Sequence, residues 1–188
     1  MTDHPTYAGH ILLATPDMGD PRFTKSVIYI CSHDAKGAMG IMINKSEKGL
    51  HLSELLEKID IEGDLRVADS PVLSGGPVDI DRGFVLHSPD YFIPDVSSEL
   101  SDTLSMTATK DVLRALVSDD SPDKAMLAVG YAGWSAGQLE SEIMQNAWLV
   151  TEADEALIFE SDLDGKWTKA LSGMGISPEM LSRSGGRA

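Results

Sequence analysis

Residues 133–137 read Gly-Trp-Ser-Ala-Gly, a match to the G-x-S-x-G pattern in which a serine on a strand-to-helix turn attacks an acyl carbon. The flanks suit that chemistry, since 124–130 reads as a buried strand and the residues beyond Gly137 read as a helix. A serine hydroxyl needs a base, and on the scaffold that carries this turn the base is a histidine downstream. The five histidines, His4, His10, His33, His51 and His87, all precede Ser135. The same letters have a second meaning. Ser135 and Gln138 are spaced as a capping box, in which the serine oxygen takes a first-turn N–H and the glutamine reaches back to the serine's own N–H. The cap is the favoured reading, with a hydrolytic site at Ser135 or in the His33 region as the alternative.

Metal and cofactor chemistry finds less support. The histidines show neither H-x-H nor H-E-x-x-H spacing, and one cysteine, Cys31, builds no thiolate cluster. Glu160, Asp162, Asp164 and Gly165 imitate the start of a calcium loop, but Leu171 stands where a bidentate acid is required. An acidic turn is expected instead. Glu140 and Glu142 lie two apart on a helix, hence on different faces, which argues against a paired-carboxylate site and for two solvated acids. No metal and no cofactor are expected.

A different polarity sits near the N-terminus. Asp20 and Arg22 lie in a turn before one apolar run, and Asn44 follows the next. If those runs pair as a hairpin around Tyr29 and Ile41, Asp20, Arg22 and Asn44 meet at one end and His33 lies at the other. Arginine offers a planar fork for carboxylate or phosphate, and asparagine both donates and accepts. Gly75 and Gly76, in a turn after the run 71–73, could add backbone N–H groups to such a ligand site, although a plain tight turn explains them too. The bland reading of Asp20 and Arg22 is an ion pair closing a loop.

The elements that must hold these residues are read from periodicity. Strands are expected near 11–14, 25–31, 39–43, 71–73, 83–87, 101–106, 125–129 and 147–150. Helical spacing links Leu52, Leu55, Leu56 and Ile59, then Val112, Ala115 and Leu116 behind a Thr109 cap, then Leu139 and Ile143. Ser177-Pro178-Glu179 opens one more short helix. Strands and helices alternate without a regular βαβ rhythm, so an α+β domain with a mixed sheet is expected over a doubly wound one.

At 188 residues the chain suits a single domain, 1–188, with a real core. Its 15 basic against 30 acidic residues give a net charge of −15. Duplex binders gain affinity by neutralising phosphates with Lys and Arg, so direct nucleic-acid binding is disfavoured. The N-terminus lacks a basic stretch followed by an apolar one, and no run approaches bilayer length. A cytoplasmic protein with no membrane partner is expected. Cys31 lies in an apolar run and is read as a small buried hydrophobe.

The stretches GHILLATPDMGDPRFTKSVIYICSHDAKGAMGIMINK (9–45), PVLSGGPVDIDRGFVLH (71–87), GYAGWSAGQLESEIMQNAWLV (130–150) and FESDLDGKWTKALSGMGI (159–176) resemble the YqgE/AlgH family of bacterial proteins across nearly the whole chain. The resemblance implies an α+β fold with a mixed, branched sheet curling into a pseudo-barrel. It also implies a regulatory label, since members are commonly described as regulators of transcription, but no catalytic residues. Ser32 stands where relatives often place a glutamate beside the histidine, so a Glu–His pair is not expected here. The chain is therefore expected to be a non-enzymatic protein that binds a small molecule or a protein partner and acts indirectly on gene expression; a hydrolase and a direct DNA binder are the rival readings.

Overall fold

The computed structural model describes residues 5–184, so His4 lies outside the described residues. The strands are β1 (His10–Ala14), β2 (Val27–Asp34), β3 (Gly37–Met42), β4 (Ser46–His51), β5 (Pro71–Ser74), β6 (Val78–His87), β7 (Ser98–Ser101), β8 (Leu104–Thr107), β9 (Ala125–Ser135) and β10 (Trp148–Glu152). The helices are α1 (Leu52–Lys58), α2 (Lys110–Ala115), α3 (Gln138–Met144), α4 (Glu155–Ile158), α5 (Lys166–Gly173) and α6 (Pro178–Ser184). None of these helices is long and apolar enough to cross a membrane.

The chain gathers into two compact units, one from residues up to Lys45 and from Ala132 onward, the other Ser46–Tyr131. In the first, β10, β1, β2 and β3 follow one another antiparallel, and the last residues of β9 pair with β3. Tyr29 faces Ile41 in the β2–β3 hairpin, as expected. Leu12, Ile28, Ile30, Trp134, Leu139 and Trp148 make its core. In the second, β7, β8, β6 and β9 are antiparallel neighbours, while β5 runs parallel to β9 and antiparallel to β4. Leu52, Leu56, Val72, Val85, Leu116 and Leu127 fill that core. The fold is thus α+β with a mixed sheet that branches at β9, whose residues take β5 and β6 in one stretch and β3 in the next.

The differences from the expected elements have local causes. β2 starts at Val27, because Lys25 adopts a left-handed backbone (φ 52°) that interrupts the extended run. The strand expected at 101–106 is instead the end of β7 at Ser101, a turn, and β8 from Leu104. β9 continues through Gly130 to Ser135, since that glycine (φ 75°) lies where a Cβ would meet the Gly76 carbonyl, a close approach rather than a strand end. β4, α4 and α5 have no counterpart among the expected elements; β4 is exposed along most of its length and carries little alternation to read.

Candidate functional site

The turn before β2 is assembled by its own side chains. The Asp20 carboxylate accepts the Arg22 N–H at 3.0 Å, and Pro21 stands at the first position of the one-turn 3-10 helix Pro21–Phe23. The same carboxylate takes Arg22 Nη2 at 2.7 Å and Nε at 3.0 Å. The hydrogen-bonded guanidinium holds the Asp20 carboxyl below its ordinary range, and Asp20 raises the pKa of Arg22 in return. Asn44 clasps the next residues: Oδ1 accepts the Val27 N–H at 2.8 Å and Nδ2 donates to the Lys25 carbonyl at 2.8 Å. Lys45 Nζ donates to the Arg22 carbonyl at 3.0 Å. Asp20 and Arg22 therefore pair with each other, while Asn44 turns to the backbone of Lys25 and Val27 rather than to either of them. The Asp20–Arg22 pair is the expected loop ion pair, and Asn44 fixes backbone. Gly75 and Gly76 belong to the second unit, where the Gly75 N–H donates to the Val129 carbonyl at 2.8 Å.

Ser135 ends β9, and the residue capping α3 is Gly137, whose φ of 74° only a glycine adopts readily. Half of the capping box is present. Gln138 Oε1 accepts the Ser135 N–H at 3.0 Å, but the serine hydroxyl also donates to Gln138 Oε1, at 3.2 Å, instead of receiving a first-turn N–H. The serine as cap is corrected to this arrangement. His33, at the far end of the hairpin, receives the Tyr7 N–H on Nδ1 at 3.0 Å, so its proton sits on Nε2 and is donated to Glu140 Oε1 at 2.8 Å. Tyr7 stacks on the ring, with centroids 5.3 Å apart, and the imidazole is only 3% exposed. A Glu–His pair therefore exists after all, its carboxylate supplied by α3.

Glu142 corrects a second expectation. Its Oε2 accepts both Trp134 Nε1, at 2.9 Å, and Trp148 Nε1, at 2.8 Å, while Oε1 accepts Gln138 Nε2 at 3.0 Å. The two indoles meet edge to face with centroids 6.0 Å apart. One carboxylate thus ties the start of α3 to β9 and β10, and neither acid of α3 is simply solvated.

Sequence reasoning missed Lys166 altogether. It is fully buried at the start of α5, and its Nζ donates to the carbonyls of Ile43, at 2.9 Å, and Ile158, at 2.7 Å. Burial lowers its pKa to about 8, with the Glu160 charge opposing. Cys31 is half-buried rather than fully buried as expected, and desolvation pushes its thiol up to about 12. In the acidic turn, Asp162 Oδ1 accepts the Gly165 N–H at 3.2 Å and Glu160 Oε2 pairs with Lys169 Nζ at 2.7 Å. A cleft of about 350 Å³ opens beside them, lined by Glu152, Asp154, Leu157, Glu160, Lys169 and Ala170 among others.

The second unit holds one buried polar chain. His87 Nδ1 lies 2.8 Å from the Ser88 carbonyl, which can only accept, so Nδ1 carries the proton and Nε2 accepts the Thr107 hydroxyl at 2.8 Å. Ser97 then donates to Thr107 at 2.7 Å and receives the Ile93 N–H at 3.0 Å. Every member is satisfied, and burial lowers the His87 pKa.

Comparison with known proteins agrees with this fold. A family model described as AlgH-like matches residues 11–179. A UPF0301 protein of Methylobacterium nodulans is 50% identical over 96% of this chain and 89% of its own, and one of Caulobacter vibrioides is 44% identical over 96% and 93%. The solution structure of the AlgH protein from Pseudomonas aeruginosa, 38% identical and covering both chains completely, superposes with a TM-score of 0.77. A crystal structure of a Corynebacterium diphtheriae protein, 20% identical over 97% of this chain and 94% of that one, reaches 0.73 and so shares the fold.

Proposed function

This chain belongs to the AlgH-like family, and from that premise we propose that it is a non-enzymatic regulatory protein, one that binds a small molecule or a protein partner and influences gene expression without touching DNA. The observation that carries this reading is the engagement of the groups a hydrolase would need. The Ser135 hydroxyl is directed at an amide oxygen, and both ring nitrogens of His33 already have partners, so no lone pair is left to take the serine proton. The charge of −15 supports the second half of the reading, because binding to a polyanion would begin against repulsion. On this reading the ligand binds near Asp20, Arg22 and Asn44, a reading supported by the outward-facing polar groups of the turn before β2.

The test is incubation with a fluorophosphonate probe read by intact mass, alongside titration into promoter fragments at about 150 mM salt, a physiological ionic strength. No label on the wild type or on Ser135→Ala, and no competitor-resistant DNA binding, is the expected result. Stoichiometric labelling lost in Ser135→Ala would establish the hydrolase reading instead, and submicromolar sequence-specific binding the DNA-binding one.

A further inference from the structure

β10 is an outer strand: among the described residues it pairs with β1 alone. Beside the ladder, the Thr15 N–H donates to the Ala147 carbonyl at 3.0 Å, and these two residues stand opposite each other in the continued register. They are a hydrogen-bonded pair, and such pairs recur at every second position. The Ala14 N–H fixes the same phase by turning the other way, to the Ser26 carbonyl at 3.0 Å. Leu149 and Thr151 therefore direct their backbone groups at β1. Val150 and Glu152 direct theirs outward, and no described residue takes them.

An open row of N–H and C=O groups recruits a further strand, so folded proteins blunt such edges with bulges, lysines or prolines. The outer strands of the second unit follow that rule. β4 carries Lys48 and a break in register before His51, and β7 has a break between Glu99 and Ser101. β10, Trp148-Leu149-Val150-Thr151-Glu152, has none of these devices and meets β1 without a shift in register. Leu149, Val150 and Thr151 are half-buried and Glu152 is exposed, so solvent reaches the edge.

The cleft at the end of this edge sets the charge of what can lie there. Thr151 and Glu152 form one wall, and Asp154, Leu157, Glu160 and Lys169 stand around it. Lys169 is already held by Glu160 at 2.7 Å. Asp154 spends Oδ1 on the Ala156 N–H at 3.0 Å, and among the described residues neither Asp154 nor Glu152 has a cationic partner. A strand laid along Val150 and Glu152 brings its side chains to this wall, where a lysine or arginine meets two carboxylates without counter-charge. A second copy of the chain would bring more acid instead, each copy carrying a net charge of −15.

We infer that β10 is a docking edge for an extended basic peptide segment of a protein partner, which adds a strand at Val150 and Glu152 and sets a lysine or arginine against Glu152 and Asp154. The inference goes beyond the proposed function, since none of these residues belongs to the turn before β2.

Calorimetric titration of the full chain at low ionic strength with a capped peptide of alternating lysine and valine tests it, a glutamate–valine peptide serving as control. Saturable one-to-one binding of the lysine peptide and none of the control is expected, with slowed amide exchange at Val150 and Glu152. The same lysine peptide N-methylated at every residue keeps its charge and loses its ladder donors, so it should bind at least tenfold more weakly. Glu152→Gln with Asp154→Asn should weaken binding at least tenfold, the asparagine keeping the cap on Ala156. Lys169→Met frees Glu160 as a third acid and should tighten binding severalfold, a gain that misfolding does not produce. No binding of the lysine peptide, indifference to the double variant, or equal binding of the N-methylated peptide overturns the inference. Protection of the Val150 and Glu152 amides that grows with protein concentration alone assigns the edge to a second copy and overturns the basic partner. All of these outcomes leave the proposed function standing; it falls instead to fluorophosphonate labelling at Ser135 or to sequence-specific DNA binding.

Discussion

Glu142→Ala removes the acceptor of two indole N–H groups at once. Trp134 is 7% and Trp148 2% exposed, so neither N–H turns readily to bulk water once the carboxylate is gone. A hydrogen bond to a charged group contributes about 1.5–3 kcal/mol, and an orphaned buried donor costs a similar amount. Glu142 itself is half-buried, so water entering the space left by its side chain recovers part of each loss. Taking about 1–2 kcal/mol per indole gives a destabilisation of about 2–4 kcal/mol, a large share of the roughly 5–15 kcal/mol that holds a domain folded. Glu142→Gln keeps one oxygen able to accept both indoles and should cost about 1 kcal/mol. Urea unfolding followed by tryptophan fluorescence and far-ultraviolet circular dichroism measures both, the comparison being valid where the denaturant slope is unchanged. An alanine variant within about 0.5 kcal/mol of wild type, the spread of ordinary surface substitutions, would refute the clasp.

Two further predictions concern buried titrating groups. Burial places the His87 pKa below its ordinary 6.5, so the unfolded chain protonates first; the contribution is intact above about pH 6.5 and is lost as pH falls, and His87→Gln should flatten stability between about pH 7 and 5, equal slopes refuting this. Lys166, ordinarily near 10.5 and lowered to about 8, loses its proton earlier in the folded state, so wild-type stability should rise by about 3 kcal/mol as pH climbs through that window. Lys166→Met should lack that rise in urea unfolding at the same pH values, and an equal rise in both proteins would refute the assignment.

What could be read from the sequence was what lies close along the chain. The β2–β3 hairpin, the helical stripe of Leu52 and Leu56, and the proline opening α6 follow from periodicity and local backbone preference, and all three are present. The Asp20–Arg22 pair spans two positions and was equally accessible. Lys166 was not: its acceptor on Ile43 lies 123 positions away, and nothing in the local pattern of α5 separates a buried lysine from a solvated one. The glycines misled for a related reason. The strand expected at 125–129 stops short of Gly130, yet the role of that glycine is set by the Gly76 carbonyl beside it, a neighbour that only the folded second unit supplies.

The two acids of α3 show where such reasoning turns. Their spacing correctly put Glu140 and Glu142 on different faces, and the structure sends one to His33 and the other to Trp134 and Trp148. The error lay in the next step, that a carboxylate without a carboxylate partner must face water. A short helix packed against both β3 and β10 has sheet elements on more than one side, so acids on either face find buried donors. The donors were themselves a signal, since an indole N–H or an imidazole that is buried must find an acceptor. Two tryptophans and a histidine in apolar runs, beside a helix with two glutamates, already pose that demand in the sequence; the fold decides only which glutamate answers which ring.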